Sequence, residues 1–462
     1  MKKLEDISVI YFIGIGGIGM SALARYFRFH GKEVSGYDKT ETVLTRALSS
    51  EGISIHYEDN LALAPRNADL VIYTPAIPAG HTELNFYKDN GYELLKRSQV
   101  LGLITRSSFN IGIAGTHGKT TITTMVAHLL RDSGYGCNAF LGGISVNYNS
   151  NFWSHERNVS VIEADEYDRS FLQLSPDIAV ITAMDADHLD IYGDEATMHD
   201  AFIQFSGKLK PGGLLITRHG LPKQERFSAP RHITYGFDNP QAGIYATNVR
   251  MFNGTYSFEV KMGEWELRDI ILNMGGLHNI ENMTAAIAVA HELGIEDEKI
   301  RSAVSSFRGV KRRFEYHVKT EQLVYVDDYA HHPEELRALI TGAKGLFPEH
   351  HCLLVFQPHL FTRTRDFADE FAQSLDMADE TVLLPIYPAR ELPLEGITSN
   401  MLAERMKQKG VSIIEKSAVV EYLSGRVADL VKKKPVLLIT AGAGDIDTVV
   451  DPVKKMLIET VG

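Results

Sequence analysis

The sequence predicts an α/β protein of three domains: a Rossmann-like first domain, a central P-loop ATPase-like domain with a parallel sheet, and a Rossmann-like third domain. Three observations predict it. The apolar run Val9–Ile13 leads straight into the turn Gly14-Ile-Gly-Gly-Ile-Gly19. A second apolar run, Phe109–Ala114, leads into Gly115-Thr-His-Gly-Lys-Thr-Thr121. Beyond Phe314, near-continuous apolar runs recur at Leu323–Asp327, Cys352–Phe356, Glu380–Leu384 and Pro435–Thr440, as in parallel strands buried on both faces. The expected domains are 1–106, 107–313 and 314–462 of the 462 residues, each long enough to bury its own core.

In the first domain, Val9–Ile13 is read as a strand, Met20–His30 as a helix, and Glu33–Tyr37 and Leu70–Thr74 as further strands of a doubly wound sheet. Gly14, Gly16, Gly17 and Gly19 fit the G-x-G-x-x-G turn, with Met20 and Ser21 opening the helix. Asp38 closes the second strand, where a ribose-binding acid belongs. By itself this turn predicts NAD; the same geometry holds any diphosphate, including that of a sugar nucleotide.

The central domain opens on a triphosphate cradle. Backbone amides of Gly115, Thr116, His117 and Gly118 at a helix N-terminus point at phosphate oxygens. Lys119 supplies a point charge, Thr120 a hydroxyl for Mg²⁺, and Thr121 continues the turn. The loop is one of a shortened kind, because Ile113 stands where the usual pattern has its first glycine. Two strands, Asn158–Ile162 and Ile178–Thr182, end in the acidic segments Glu163-Ala-Asp-Glu-Tyr-Asp168 and Asp185-Ala-Asp-His-Leu-Asp190. Such loops are either solvated surface or oxygen ligands for a hard cation, with His188 beside them. An alternating segment, Gly254–Val260, reads as β structure, and the helix His278–Leu293 stops at Gly294. His278, Asn279 and Asn282 begin that helix, as ordinary caps or as readers of an adenine edge. Lys311-Arg-Arg-Phe-Glu315 places cations, Arg313 among them, at the second domain boundary.

In the third domain, Asp327-Asp-Tyr-Ala-His-His-Pro333 and Gln357-Pro-His-Leu-Phe-Thr-Arg363 each follow a strand, on the ligand-binding edge of an open sheet. Their histidines and arginine suit binding or deprotonating a small zwitterion, since an α-amino group has a pKa of about 7.7–8.0.

Composition excludes several classes. A net charge of −12 argues against a nucleic-acid or anionic-membrane partner. Cys137 and Cys352 make neither a disulfide framework nor a zinc spacing and fit a reducing cytoplasm. Lys2 and Lys3 before Ile7–Ala24 imitate a signal peptide, but the glycines of that stretch are better explained as a phosphate turn. No membrane insertion is expected, and the expected state is a monomer or weak homodimer.

Together and in this order, over essentially the whole chain, these motifs resemble the Mur ligases, ATP-dependent amide-bond formers of bacterial wall synthesis. The resemblance implies ATP and Mg²⁺ as cofactors and a first domain that grips a UDP-sugar through Gly14, Gly16, Gly17, Gly19, Met20, Ser21 and Asp38. Within the family, Gln357-Pro-His359 and Met20-Ser21 resemble the branch acting on UDP-N-acetylmuramate and L-alanine. It implies that ATP phosphorylates the lactyl carboxylate and that the alanine amine displaces phosphate from the acyl phosphate. Lys119, His188, Arg313 and His332 are the implied catalytic residues, and Thr120, Glu163 and His188 the implied metal ligands. Gly115–Thr121, His278, Asn279, Asn282 and Arg313 would contact ATP, and Asp328, Tyr329, His332, His359 and Arg363 the amino acid. Leu360 stands where family members often carry arginine, and no lysine occurs in the Asp185–Asp190 loop, so a carbamylated lysine is not expected. A recycling ligase that attaches an intact tripeptide, a folate-polyglutamating ligase, a nucleotide-dependent sensor and a dehydrogenase are the competing readings.

Overall fold

A computed structural model of the chain describes residues 4–185, 189–252, 254–389, 391–408 and 410–461. They pack as two compact units. One comprises the chain up to Asn248 with Phe258–Ile270 and Glu281–Phe307; the other comprises Val249–Ser257, Ile271–Ile280 and the chain from Arg308.

The first unit holds the N-terminal sheet and most of a second. The N-terminal sheet has five parallel strands in the order Ser54–His56, Glu33–Tyr37, Val9–Ile13, Leu70–Tyr73, Leu94–Lys96. The strand order reverses beside Val9–Ile13, so the crevice for a ligand opens where the first glycine turn lies. The helix after that turn spans Ile18–Phe29, two residues earlier than expected, because extended Gly17 forms its N-cap.

The second sheet has ten strands, and its middle is the functional part. Phe109–Ala114 lies between Val159–Glu163 on one side and Ile178–Ile181 on the other, all parallel. The strand that feeds the phosphate loop is therefore flanked by the two strands that end in acidic loops. On the Ile178 side the sheet continues through Leu214–Arg218 and Arg231–Phe237 to Ile244–Phe252, Thr255–Met262 and Trp265–Leu272. On the other side come Asn138–Ser145 and Ser150–Trp153, which pair antiparallel.

One face of the N-terminal sheet shares its core with the central sheet, while its other face buries a separate cluster that includes Tyr11, Ile13, Tyr37, Val71 and Tyr87. Ile10, Phe12, Leu23 and Phe27 belong to the same buried cluster as Phe140, Phe171, Phe202 and Phe205. Tyr26 bridges them, its ring 5.3 Å from Phe140 and 6.2 Å from Phe152. Each such side chain contributes about 1.5–3 kcal/mol when fully buried, so the fused core fixes the glycine turn against the central sheet.

The second unit carries a six-stranded sheet in the order Glu315–Lys319, Leu323–Asp328, Val436–Ala441, His351–Phe356, Glu380–Leu383, Ser412–Ile413. Only the first pair is antiparallel. Its core is a separate cluster that includes Tyr325, Leu353, Val382, Leu438 and Val453.

Candidate active site

The segment Gly115–Gly118 turns from the central strand into the helix Lys119–Asp132. Gly115 sits at φ +137°, and a Cβ there would lie 2.0 Å from Thr182 Oγ1 and 2.8 Å from the Ala183 amide nitrogen. Only glycine fits so close to the neighbouring strand. The loop is stitched to that strand: Thr116 N donates to Ala183 O at 3.0 Å, and Thr182 Oγ1 donates to His117 O. Asp185 N donates to Thr116 Oγ1 at 3.1 Å, while the His117 imidazole stands 3.7 Å from the Asp185 carboxylate on the exposed side. Asn282 lies over the loop, its Oδ1 3.1 Å from where a Gly118 Cβ would be. Thr121 is buried under the turn.

Lys119 Nζ donates to Gly115 O at 2.6 Å and to Glu166 Oε1 at 2.7 Å. Burial raises the Glu166 carboxyl above its ordinary range, and the Lys119 charge opposes that rise. Thr120 Oγ1 donates to Glu163 Oε1 at 3.1 Å, and Gly142 N donates to Glu163 Oε2 at 3.0 Å. Two hard oxygens at 3.1 Å match the edge between adjacent ligands of Mg²⁺, about 2.9 Å for metal–oxygen distances near 2.1 Å. The Thr120–Glu163 pair therefore fits that ion. His188, the other implied ligand, lies outside the described residues.

At the first glycine turn, Gly14 N and Ile15 N donate to Tyr37 O, and Asp38 Oδ2 accepts from Gly16 N at 2.7 Å. Asp38 thus braces the turn. Met20 and Ser21 point inward: both are buried, and Ser21 Oγ donates to Ile18 O and accepts from Asn151 Nδ2 at 3.0 Å. Gly17 and Gly19 open the helix, and a Cβ on Gly19 would lie 2.3 Å from Arg97 Nη1. Arg97 in turn reaches Asp165 at 3.3 Å. A cavity of about 170 Å³ lies here, lined by Gly19, Arg97, Phe140, Gly142, Glu163 and Asp165 among others. It joins the glycine turn to the Glu163 strand end.

The second unit gathers the other predicted residues. Asp328 accepts from Phe314 N at 2.7 Å and from Ala330 N at 2.8 Å, and burial pushes its carboxyl up to about 6. Tyr329 is exposed, with the Arg312 guanidinium over its ring. His332 caps the helix Pro333–Leu346 and packs edge-on against Phe367. His359 Nδ1 lies 3.3 Å from Arg363 Nη1, and its ring stacks on Tyr387 and meets His331 at 6.0 Å. Leu360 sits at φ +69°, held by its amide to Tyr387 O at 2.9 Å. Asn279 is buried with its side chain donating to Gly275 O, and desolvation of the imidazole together with the Arg313 charge lowers the His278 pKa.

Sequence reasoning missed three residues here. Glu166 lies in the acidic segment that the sequence offers to a metal, yet it pairs with Lys119, and no spacing in the sequence marks that pairing. Arg97 and Tyr387 stand 78 and 28 residues from the groups they touch, Gly19 and His359, and no motif marks them.

A strand-fed phosphate loop, flanking acidic strand ends, a diphosphate-type turn earlier in the chain and a histidine-rich sheet edge later in it define an ATP-dependent ligase of α/β architecture. The comparisons agree. Residues 9–108 match the Mur ligase family catalytic domain, 113–290 the Mur ligase middle domain, and 312–444 the Mur ligase glutamate ligase domain. The chain belongs to the Mur ligase family. It is 49% identical over 100% of its length to the UDP-N-acetylmuramate–L-alanine ligase of Cytophaga hutchinsonii, covering 99% of that protein. It is 46% identical to that of Flavobacterium psychrophilum, over 99% of this chain and 100% of the relative. The crystal structure of UDP-N-acetylmuramate–alanine ligase from Thermotoga maritima superposes with a TM-score of 0.82 at 27% identity, covering 98% of this chain and all of that one. Among the described residues, no helix is long and apolar enough to cross a membrane.

Proposed function

We infer that this protein joins L-alanine to the lactyl carboxylate of UDP-N-acetylmuramate, converting ATP to ADP and phosphate, in the synthesis of peptidoglycan precursor. The observation that carries the reading is full-length identity of 46–49% to ligases of that name, in a chain whose Lys119–Glu166 and Thr120–Glu163 pairs flank one phosphate loop.

The chemistry divides among the residues as follows. The loop amides other than that of Thr116, which is spent on Ala183 O, hold the triphosphate together with Lys119, and Lys119 neutralises charge that develops as the γ-phosphoryl group moves. Thr120 and Glu163 would hold one Mg²⁺, and His188 would hold a second or place the substrate carboxylate; a bound ion would supply Lewis-acid charge stabilisation. Asn282, His278 and Arg313 serve the nucleotide, whereas buried Asn279 is spent on Gly275 O and acts by fixing the helix start. The glycine turn, braced by Asp38, faces the sugar nucleotide's diphosphate, and the Asp38 carboxylate suits a ribose hydroxyl rather than the phosphates. A carboxylate oxygen of the substrate attacks the γ-phosphorus and ADP leaves, giving an acyl phosphate. The neutral amine of alanine, oriented by Asp328, His332, His359 and Arg363, then adds to the acyl carbon, and phosphate departs with one carboxylate oxygen.

That last feature is the test. Substrate labelled with ¹⁸O in the lactyl carboxylate delivers one ¹⁸O to the released phosphate by mass spectrometry. Unlabelled phosphate would eliminate the acyl-phosphate route.

A further inference from the structure

The bulge in the third sheet creates a cluster that the ligase chemistry does not use. Glu315 faces Asp327 across the antiparallel pair and Tyr316 faces Val326, but the next register partner of Tyr325 is Val318. His317 is the extra residue. Bulges re-aim side chains, and here the imidazole lies on the carboxylate side, with Nε2 3.7 Å from Glu315 Oε2. The His317 side chain is 9% exposed, and its Nε2 is buried without a hydrogen-bond partner. Asp327 is 1% exposed. One ligand atom from each of Glu315, His317 and Asp327 lies within 4.8 Å of the other two.

We propose that Glu315, His317 and Asp327 bind a divalent transition-metal ion of the zinc type. An imidazole nitrogen with two carboxylates is a three-ligand set for such an ion, leaving a fourth position for water. The His317–Glu315 separation approaches the edge of a tetrahedron with metal–ligand bonds of about 2.1 Å, close to 3.4 Å. Outer contacts already orient the ligands. Thr440 Oγ1 donates to Asp327 Oδ1 at 2.6 Å, and Arg312 N donates to Glu315 Oε2 at 2.9 Å. The Arg312 side chain balances one carboxylate, with Nε 3.2 Å from Asp327 Oδ2. Lys311 and, from the last helix, Asp451 and Lys454 complete the charges that face His317. With Asp451, Lys311 and Lys454 included, acids and bases around His317 balance, so the site rests on the buried unpartnered imidazole nitrogen and the two adjacent carboxylates rather than on excess charge. The donor set differs from the all-oxygen Thr120–Glu163 pair by its imidazole, which favours zinc over magnesium.

The experiment titrates chelator-stripped full-length protein with Zn²⁺ against a chromophoric chelator, with millimolar Mg²⁺ present to fill the phosphate-loop site. Parallel Co²⁺ spectra report the ligand field. The expected result is one Zn²⁺ per chain, with affinity at least tenfold weaker in both His317→Ala and Glu315→Gln and the Co²⁺ visible band lost. Using both variants keeps the outcome readable if one of them folds poorly. No Zn²⁺ bound in excess of Mg²⁺, or equal binding by wild type and both variants, overturns the site and leaves a proton-sharing structural cluster in its place.

Discussion

Lys119 and Glu166 form an ion pair at 2.7 Å in which the glutamate side chain is 1% exposed and the lysine 16%. The carboxylate occupies the lysine in the same loop that would receive a triphosphate, and Tyr192 fixes it further by donating to the Glu166 carbonyl at 2.6 Å. Lys119 is thus held extended along the loop by Glu166 and Gly115 O before any phosphate arrives, which removes part of the ordering entropy from the binding step.

Replacing Lys119 by alanine is expected to lower kcat on the order of 10³-fold or more. UDP-sugar binding should persist, because the Gly14–Gly19 turn lies on a different sheet. Calorimetric titration of UDP-N-acetylmuramate beside steady-state kinetics checks it; loss of both in a folded variant would contradict the assignment.

Glu166→Gln leaves Lys119 without its buried counter-charge; removing one partner of a fully buried pair costs about 3–5 kcal/mol, and less here because the Lys119 side chain is partly exposed. ATP supplies anionic oxygens in the carboxylate's stead. The expected outcome is a fall in Tm that saturating Mg²⁺–ATP reduces by more than it raises the wild-type Tm. An equal nucleotide shift in both proteins would mean that the pair does not report on the phosphate site.

Gly19→Ala places a methyl group against the Arg97 guanidinium, and Arg97→Ala removes that guanidinium and its Asp165 contact. Each should raise the KM for UDP-N-acetylmuramate several-fold, and the double variant should fall short of the product, since contacting residues are not additive. A fully multiplicative double variant would place the two residues in independent roles.

His359→Ala should raise the KM for alanine more than that for ATP; an unchanged alanine KM would remove His359 from the pocket. Burial holds both His331 and His359 below the usual imidazole range, with Arg363 adding to the depression of each. Below about pH 6.5 the unfolded chain therefore binds protons that the folded one refuses. Stability falls as pH drops through that window and is restored above it. Thermal melts from pH 7 to pH 5 should show a shallower acid loss for His331→Ala and His359→Ala than for wild type.

The strand-and-loop signals were legible because they are local. The apolar run before Gly115, the Lys-Thr pair after it, and the acidic ends of the two neighbouring strands all sit within a few residues of their own motif. What stayed hidden depends on tertiary closure. Nothing in the sequence near Gly19 announces Arg97, and nothing marks Ser21 as facing Asn151 rather than a ligand. The fusion of the first two cores through Tyr26 is likewise a matter of packing. Glu166 lay within a motif already noticed; a strand end offers several carboxylates, and only the fold decides which meets lysine and which meets the threonine hydroxyl. The His317 bulge is a register event, invisible to a period-two pattern.

The most direct test of the central claim is phosphate release from Mg²⁺–ATP with UDP-N-acetylmuramate, with L-alanine or the wall tripeptide added in parallel. Release that requires both the sugar nucleotide and alanine is the predicted result. Release with the tripeptide but not with alanine would contradict the account and assign the chain to recycling, and silence with both, from folded protein that still binds the sugar nucleotide, would contradict ligation altogether.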